Sequence, residues 1–227
     1  MAVTSNPHAP NEWIDGFLFV GNHLALDFLN TRPLLEDRPE ELLPGVEALV
    51  RWLVASGLLT PQMGKALAKK WRETPQAAVF LRELLAFRER FRAMVLRQEA
   101  GMPVSDQFIA EVNSLLLQHP SRVALQRKKE KLELEAAFEP EGPNDVWAPI
   151  AIAVSELLSD VPPARLRKCE ACIVHFLDTS KKGSRRWCSM NICGNKIKVA
   201  AYQQRKRAAR KKLRRARKER QSGNDAR

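Results

Sequence analysis

The chain is poor in the residues that most often announce a reaction. Among its 227 residues are four histidines, His8, His23, His119 and His175, and four cysteines. It contains no Gly-x-Ser-x-Gly elbow, no phosphate-cradling Walker loop and no dinucleotide-type glycine pattern. The common hydrolase, NTPase and dehydrogenase signatures are therefore missing, and the expectation is a protein that is not an enzyme. No apolar run approaches the roughly 18–20 residues that a bilayer helix needs, so no membrane span is expected. The first residues, "MAVTSNPHAPNEW", lack the basic start and apolar core of a signal peptide, which makes the cytoplasm the expected compartment.

Acidic residues are scarce in one place, the C-terminal quarter. Residues 1–164 hold 17 Lys+Arg and 22 Asp+Glu, a net of −5, whereas residues 165–227 hold 21 Lys+Arg and 4 Asp+Glu, a net of +17. The whole chain carries +12. A mildly acidic body with a strongly basic end points to an anionic partner, nucleic acid before anionic membrane.

The body reads as mainly helical. In "GNHLALDFLNT", Leu24, Ala25, Phe28 and Leu29 share one face of a short helix with Asn22 as its cap, although the alternation Leu24, Leu26, Phe28 also suits a strand. A helix over 45–59 buries Val46, Leu49, Val50, Leu53 and Val54, and Thr60 caps another to about residue 72. Thr74, Pro75 and Gly101 bracket a long helix whose stripe is Leu81, Leu84, Leu85, Arg88, Phe91 and Val95. Arg88 in that stripe is expected to pair with a buried carboxylate such as Asp27 or to reach solvent, with Glu83 and Glu89 solvated. Ser105 opens a helix to about 117, residues 121–138 alternate as a β-hairpin, and a last body helix runs from Trp147 to Leu158. Val161–Pro162–Pro163, together with the charge change, marks the domain boundary. The expected class is α+β, mainly α: a helical body with a β-hairpin, then a small four-cysteine module leading into a basic helix. The divisions are a flexible N-terminus (1–16), a helical domain (17–162), the cysteine module and basic helix (163–220) and a disordered tail (221–227).

Cys169, Cys172, Cys188 and Cys193 lie within 25 residues, spaced Cys-x2-Cys-x15-Cys-x4-Cys. Clustering of this kind in a cytosolic chain reads as a metal site rather than as disulfides. Four thiolates suit one tetrahedral zinc and leave no position for a reactive water, so the zinc is structural. Another sulfur-loving metal or an iron–sulfur cluster remains an alternative. "HFLDTSKKGSRRW" (175–187) is expected to form a hairpin that returns the second pair, with Cys193 at a helix start. His175 could replace one cysteine but reads better as a hairpin residue. Trp187 is either cover for the sulfurs or a platform for a base.

The segment "CEAC…FLDTS…RRWCSMNICGN" resembles the CGNR zinc-finger family. The four positions that name that family are here Cys193, Gly194, Asn195 and Lys196, so lysine stands where the family has arginine. The charge is kept and the bidentate fork is lost. "LALDFLNT" (24–31) resembles the start of the ABATE domain, which commonly precedes this finger. The resemblance implies a stress-induced transcription regulator.

From Gly194 to Arg220 there is no proline and no further glycine, which predicts a helix. Ile197, Ala200, Ala201 and Ala208 are expected to pack on the finger or the body, and the part from Arg210 onward to order on a polyanion. The expected nucleic-acid contacts are Lys181, Lys182, Arg185 and Arg186 in the finger and Lys196, Lys198, Arg205, Lys206, Arg207, Arg210 and Lys211 on the helix. DNA is favoured; an RNA- or ribosome-binding zinc protein is the alternative. The body would sense a small-molecule effector or form a homodimer. His23, Asp27 and Asn30, on one helix face, are a candidate effector pocket, or the site of an enzyme if the chain were one after all.

Overall fold

The computed structural model describes residues 12–35, 38–128 and 130–224, and within these not the side chains of 34, 35, 128, 135, 136 and 212–224. The chain starts with strands β1 (Trp13–Ile14) and β2 (Phe17–Leu18), paired antiparallel around Asp15 and Gly16. Both turn residues have positive φ, 50° and 81°, as a two-residue hairpin requires. Arg51 anchors the turn through the Asp15 carboxylate and carbonyl, and its guanidinium lies over the Phe17 ring. Residues 13–16 therefore do not belong to a flexible terminus. The Asp-Gly pair was the signal for the hairpin. Residues 1–11 lie outside the described residues.

Helix α1 (Leu24–Leu29) follows, which excludes the strand reading. Its cap is His23, whose Nδ1 accepts the Ala25 N–H, and not Asn22, which sits in the left-handed region at φ 55°. All six residues of α1 are buried, because other elements pack around it. Strands β3 (Leu34–Leu35) and β4 (Arg38–Pro39) make a second small hairpin.

Helices α2 (Val46–Ala55), α3 (Pro61–Arg72), α4 (Pro75–Glu99) and α5 (Asp106–Gln118) then build the body. Thr60 and Ser105 cap α3 and α5 by accepting the N–H of Met63 and of Phe108. On α4 the buried face is wider than the expected stripe. Ala77, Phe80 and Phe87 join it, while Leu85 is half-buried. The reason is that α1, α2, α3 and α5 all pack on this one helix. Phe87 meets Trp147 edge-on and stacks on Phe108, and Phe80 also meets Trp147 edge-on. Each such ring contributes on the order of 2–3 kcal/mol by leaving water. On α2, Trp52 is fully buried against Phe28, while Val46 and Val54 are half-buried.

Arg88 is fully buried, but its partner is Glu41, not Asp27. The guanidinium grips both Glu41 oxygens, the Thr31 hydroxyl and Glu89. Glu89 is not simply solvated. It also pairs with Arg92 and Arg32.

Strands β5 (Arg122–Lys128) and β6 (Lys131–Ala137) pair antiparallel, with Leu125 opposite Leu134. Val123, Leu125, Leu132 and Leu134 are all exposed, so this hairpin stands away from the core. Helix α6 (Trp147–Asp160) closes the body, and the chain turns at Pro163–Arg165. Strand β7 (Leu166–Lys168) pairs with β8 (His175–Leu177), and a π-helical turn, Met190–Gly194, leads into α7 (Asn195–Asn224). Helix α7 extends four residues past the expected end at 220, and residues 225–227 lie outside the described residues. Among the described residues, no helix is long and apolar enough to cross a membrane.

Candidate metal centre and basic helix

The first cysteine pair sits in the turn between β7 and β8. That turn is closed by the Cys169 N–H donating to the Val174 carbonyl at 2.9 Å. The expected hairpin was displaced by one element: β8 pairs backward with β7, not forward with 184–187. The segment 178–187 is instead a loop knotted on Asp178. One Asp178 oxygen accepts the Ser180 N–H and the other the Arg185 N–H. The Arg165 guanidinium donates to the carbonyls of Asp178 and Ser180. Burial pushes the Asp178 carboxyl up, but these hydrogen bonds outweigh it and hold the group below its usual range. An Asp that accepts from the backbone two residues on is a sequence-legible turn signal, in "LDTS".

The second pair is placed by a cap. The Ser189 hydroxyl accepts from Asn191 and Ile192, and its carbonyl accepts from Cys193 and Gly194. This winds the π turn that swings Cys193 toward Cys188. At Gly194 a Cβ would fall 2.7 Å from the sulfur of the exposed Met190 side chain, which would have to turn aside, and 3.3 Å from the Trp187 ring.

The four Sγ atoms lie within 4.8 Å of one another, with Cys172–Cys188 at 3.8 Å and Cys188–Cys193 at 3.7 Å. Zinc–sulfur bonds of about 2.3 Å place tetrahedral sulfurs about 3.8 Å apart, close to the two spacings above, so the set can gather around one zinc ion. Three of the four cysteines are buried and Cys172 is half-buried. The thiols also show what they need. Hydrogen bonds from Cys172 and Cys188 pull the Cys169 thiol far down. The same contacts push Cys172 up to about 12 and Cys188 far higher, and burial raises Cys193. A bound dication supplies the positive charge that lets all four deprotonate. His175 is not part of the set. It lies on β8, buried, with Nε2 3.5 Å from Glu99.

The module rests on the body. Leu18 and Val20, from β2 and the residues after it, share a buried cluster with Val174, Phe176 and the cysteines, and Trp187 and Ile192 pack at its edge. Trp187 is half-buried beneath the Arg186 guanidinium, so it is cover for the sulfurs.

The expected basic patch divides. Lys181 and Lys182 are exposed at the loop tip. Arg185 turns inward, over the Phe176 ring and onto the carbonyls of Trp187 and Cys188. It helps to build the finger. Arg186 is held by both oxygens of Glu170. On α7, Lys196, Lys198, Arg205, Lys206, Arg207, Arg210 and Lys211 are all exposed. The packing expected of Ala200, Ala201 and Ala208 is not formed, and Ile197 alone of that set is half-buried. The finger anchors the start of the helix, and the described side chains from Lys198 to Lys211 are exposed.

His23, Asp27 and Asn30 are each about 1% exposed and line no opening. An Asp27 oxygen accepts the Gly21 N–H, His23 caps α1, and Asn30 bonds the backbone of His175 in both directions. Burial holds the His23 imidazole down to about 4, with Asp160 opposing. The expected effector pocket is thus a buried docking cluster. The body has a cleft of about 1060 Å³ elsewhere, between the β5–β6 hairpin and α6, lined by residues including His119, Val123, Phe138 and Ile152.

Two family models match the chain. Residues 22–161 match ABATE, described as "Putative stress-induced transcription regulator", and residues 165–206 match the CGNR zinc finger. No curated protein matches the sequence. The helical domain with its "LALDFLNT" helix, the four converging sulfurs and the spans of the two matches all agree: the chain belongs to the ABATE family and carries a CGNR zinc finger behind that domain.

Proposed function

We infer that this protein is a zinc-dependent DNA-binding regulator of transcription. In this reading α7 enters the major groove and the helical domain acts as its sensor or dimerisation part. The observation that carries the reading is α7 itself. Every described side chain from Lys198 to Lys211 is exposed, and seven of the basic ones expected to meet nucleic acid lie on this helix. At 100° per residue, Lys196, Arg207, Arg210 and Lys211 fall on one side, and Lys198 and Arg205 on the other. A helix charged on both sides suits a groove with phosphates on either wall. At 30 residues α7 is about 45 Å long, as long as or longer than one turn of duplex DNA. The deep, narrow major groove of A-form RNA does not admit such a helix, which favours DNA.

The four cysteines hold the zinc, and its part is to fix the direction of α7. It offers no site for a reacting group, since four sulfurs close its coordination. Lys181 and Lys182 add phosphate contacts from the loop tip.

The test is selection from a random duplex DNA pool with the zinc-loaded full chain, at near-physiological salt and with competitor. An enriched motif is expected, and a palindromic one would identify a homodimer. Tight binding without enrichment would overturn sequence-specific reading, and preference for structured RNA over DNA would overturn the choice of DNA.

A further inference from the structure

The stretch "GNHLALDFLN" is closely packed on itself, and at both ends it also holds the zinc module. Gly21 admits no Cβ. One would lie 2.7 Å from the Leu26 Cβ and 2.9 Å from the Asp27 amide and carboxylate. Its N–H goes to Asp27, and its carbonyl accepts the Leu177 N–H of β8 at 2.8 Å. Asn22 donates from Nδ2 to the Leu177 carbonyl at 2.9 Å. Asn30, at the far end of α1, donates to the His175 carbonyl at 2.8 Å and accepts the His175 N–H at 3.1 Å. Both ends of α1 thus hold β8, the strand that leaves the first cysteine pair. Leu18 and Val20 complete the wall around the sulfurs, and Ser189, which winds the second pair, donates to Glu12. The finger's own residues do not satisfy β8: its edge is paired to β7 on one side and to the α1 segment on the other.

We propose that the zinc module and the segment 17–31 are one folding unit, and that Asn30 is the positioning residue that ties the metal site to the helical domain. Zinc binding then stabilises α1, and by linkage anything that shifts α1 alters zinc affinity and the direction in which α7 leaves the finger. The body and the finger meet across a hydrogen-bonded, buried seam rather than a linker. Its loss leaves the amide of Asn30 and the backbone of His175 buried and unpaired, which is what makes the seam costly to open. This inference stands on the seam alone and does not depend on what α7 binds.

Hydrogen exchange on the full chain, with and without zinc, tests it first. Removing zinc is expected to raise exchange in 17–31 together with 166–194, while α4 stays protected. Loss confined to 166–194 would overturn the proposal. Asn30→Ala tests the residue. Zinc affinity, read by competition with a chromogenic chelator, is expected to fall about tenfold, as for groups that orient metal ligands. At fixed free zinc the zinc-loaded Tm then falls by about 3–6 °C, while the zinc-free Tm is unchanged. Equal losses in both forms would mark Asn30 as ordinary scaffold and overturn its role. If Asn30→Ala does not fold, Asn22→Gly removes one seam bond and suits the left-handed backbone there. It is expected to weaken zinc in the same direction, and unchanged affinity would overturn the coupling.

Discussion

Gly21 has room for a hydrogen and nothing larger, and the neighbouring residues follow from that close approach. Gly21→Ala is expected to destabilise the fold by about 2–3 kcal/mol, because the atoms it meets are backbone and a buried carboxylate; denaturant unfolding measures it. His23 has a clear pH signature. Its folded pKa of about 4 lies below the ordinary 6.5, so the unfolded chain binds the proton first as pH falls. Its contribution is complete above 6.5 and is lost as pH drops from 6.5 toward 4, up to about 3 kcal/mol. His23→Asn puts a capping oxygen in place of the imidazole Nδ1 and removes the titration, so its stability should fall less than that of the natural chain between pH 7 and 5. Equal slopes would remove His23 from the account. Glu41→Gln strands the fully buried Arg88 with weaker partners and should cost about 2 kcal/mol in the same unfolding measurement. At the metal centre, Cys188→Ser should drop the zinc content of purified protein from one per chain toward zero, measured by elemental analysis. A retained stoichiometry of one would reject Cys188 as a ligand.

Among the elements, α7 and the loop over 178–187 behave oppositely. The loop engages most of its charges internally, Asp178 on backbone N–H groups, Arg185 on carbonyls and Phe176 and Arg186 on Glu170, and leaves Lys181 and Lys182 exposed at its tip. The helix is held at its start, and its described basic side chains are exposed. Removing residues 205–227 deletes 12 Lys+Arg and should both weaken DNA binding and flatten its salt dependence, since each lost phosphate contact lowers the slope by about 0.9. Titrations at several salt concentrations read this directly, and an unaltered slope would show that α7 is not the contact surface. The element boundaries themselves were legible. Thr60, Pro61, Pro75 and Ser105 announce helix starts by chemistry that acts within one turn, whereas the Thr74 hydroxyl donates back to the Lys70 carbonyl and caps nothing; the alternation in 122–137 announces its hairpin. The first hairpin was equally legible in Asp15–Gly16, but the proline-rich residues before it drew the reading toward a flexible terminus.

For the whole molecule, the local patterns already determined a mainly helical body, four cysteines at metal-binding spacing and a helix too charged to bury itself. Each of these rests on interactions between residues close in sequence: caps, periods of 3.6 and 2, the reach of a two-residue turn. The tertiary structure alone decided the partners of the polar groups. Nothing near Arg88 in the chain names Glu41, 47 residues away, and nothing near Asn30 names His175, 145 residues away. The same holds for the basic residues. Arg185 and Arg186 look as available as Lys181 and Lys182 until the fold brings Phe176, Cys188 and Glu170 beside them. Sequence states which groups need a partner, because a buried donor or charge cannot go without one. Which distant group arrives is set by how the helices and the finger pack. That packing buried His23, Asp27 and Asn30, the first two bonded within their own segment and Asn30 tied to the metal module.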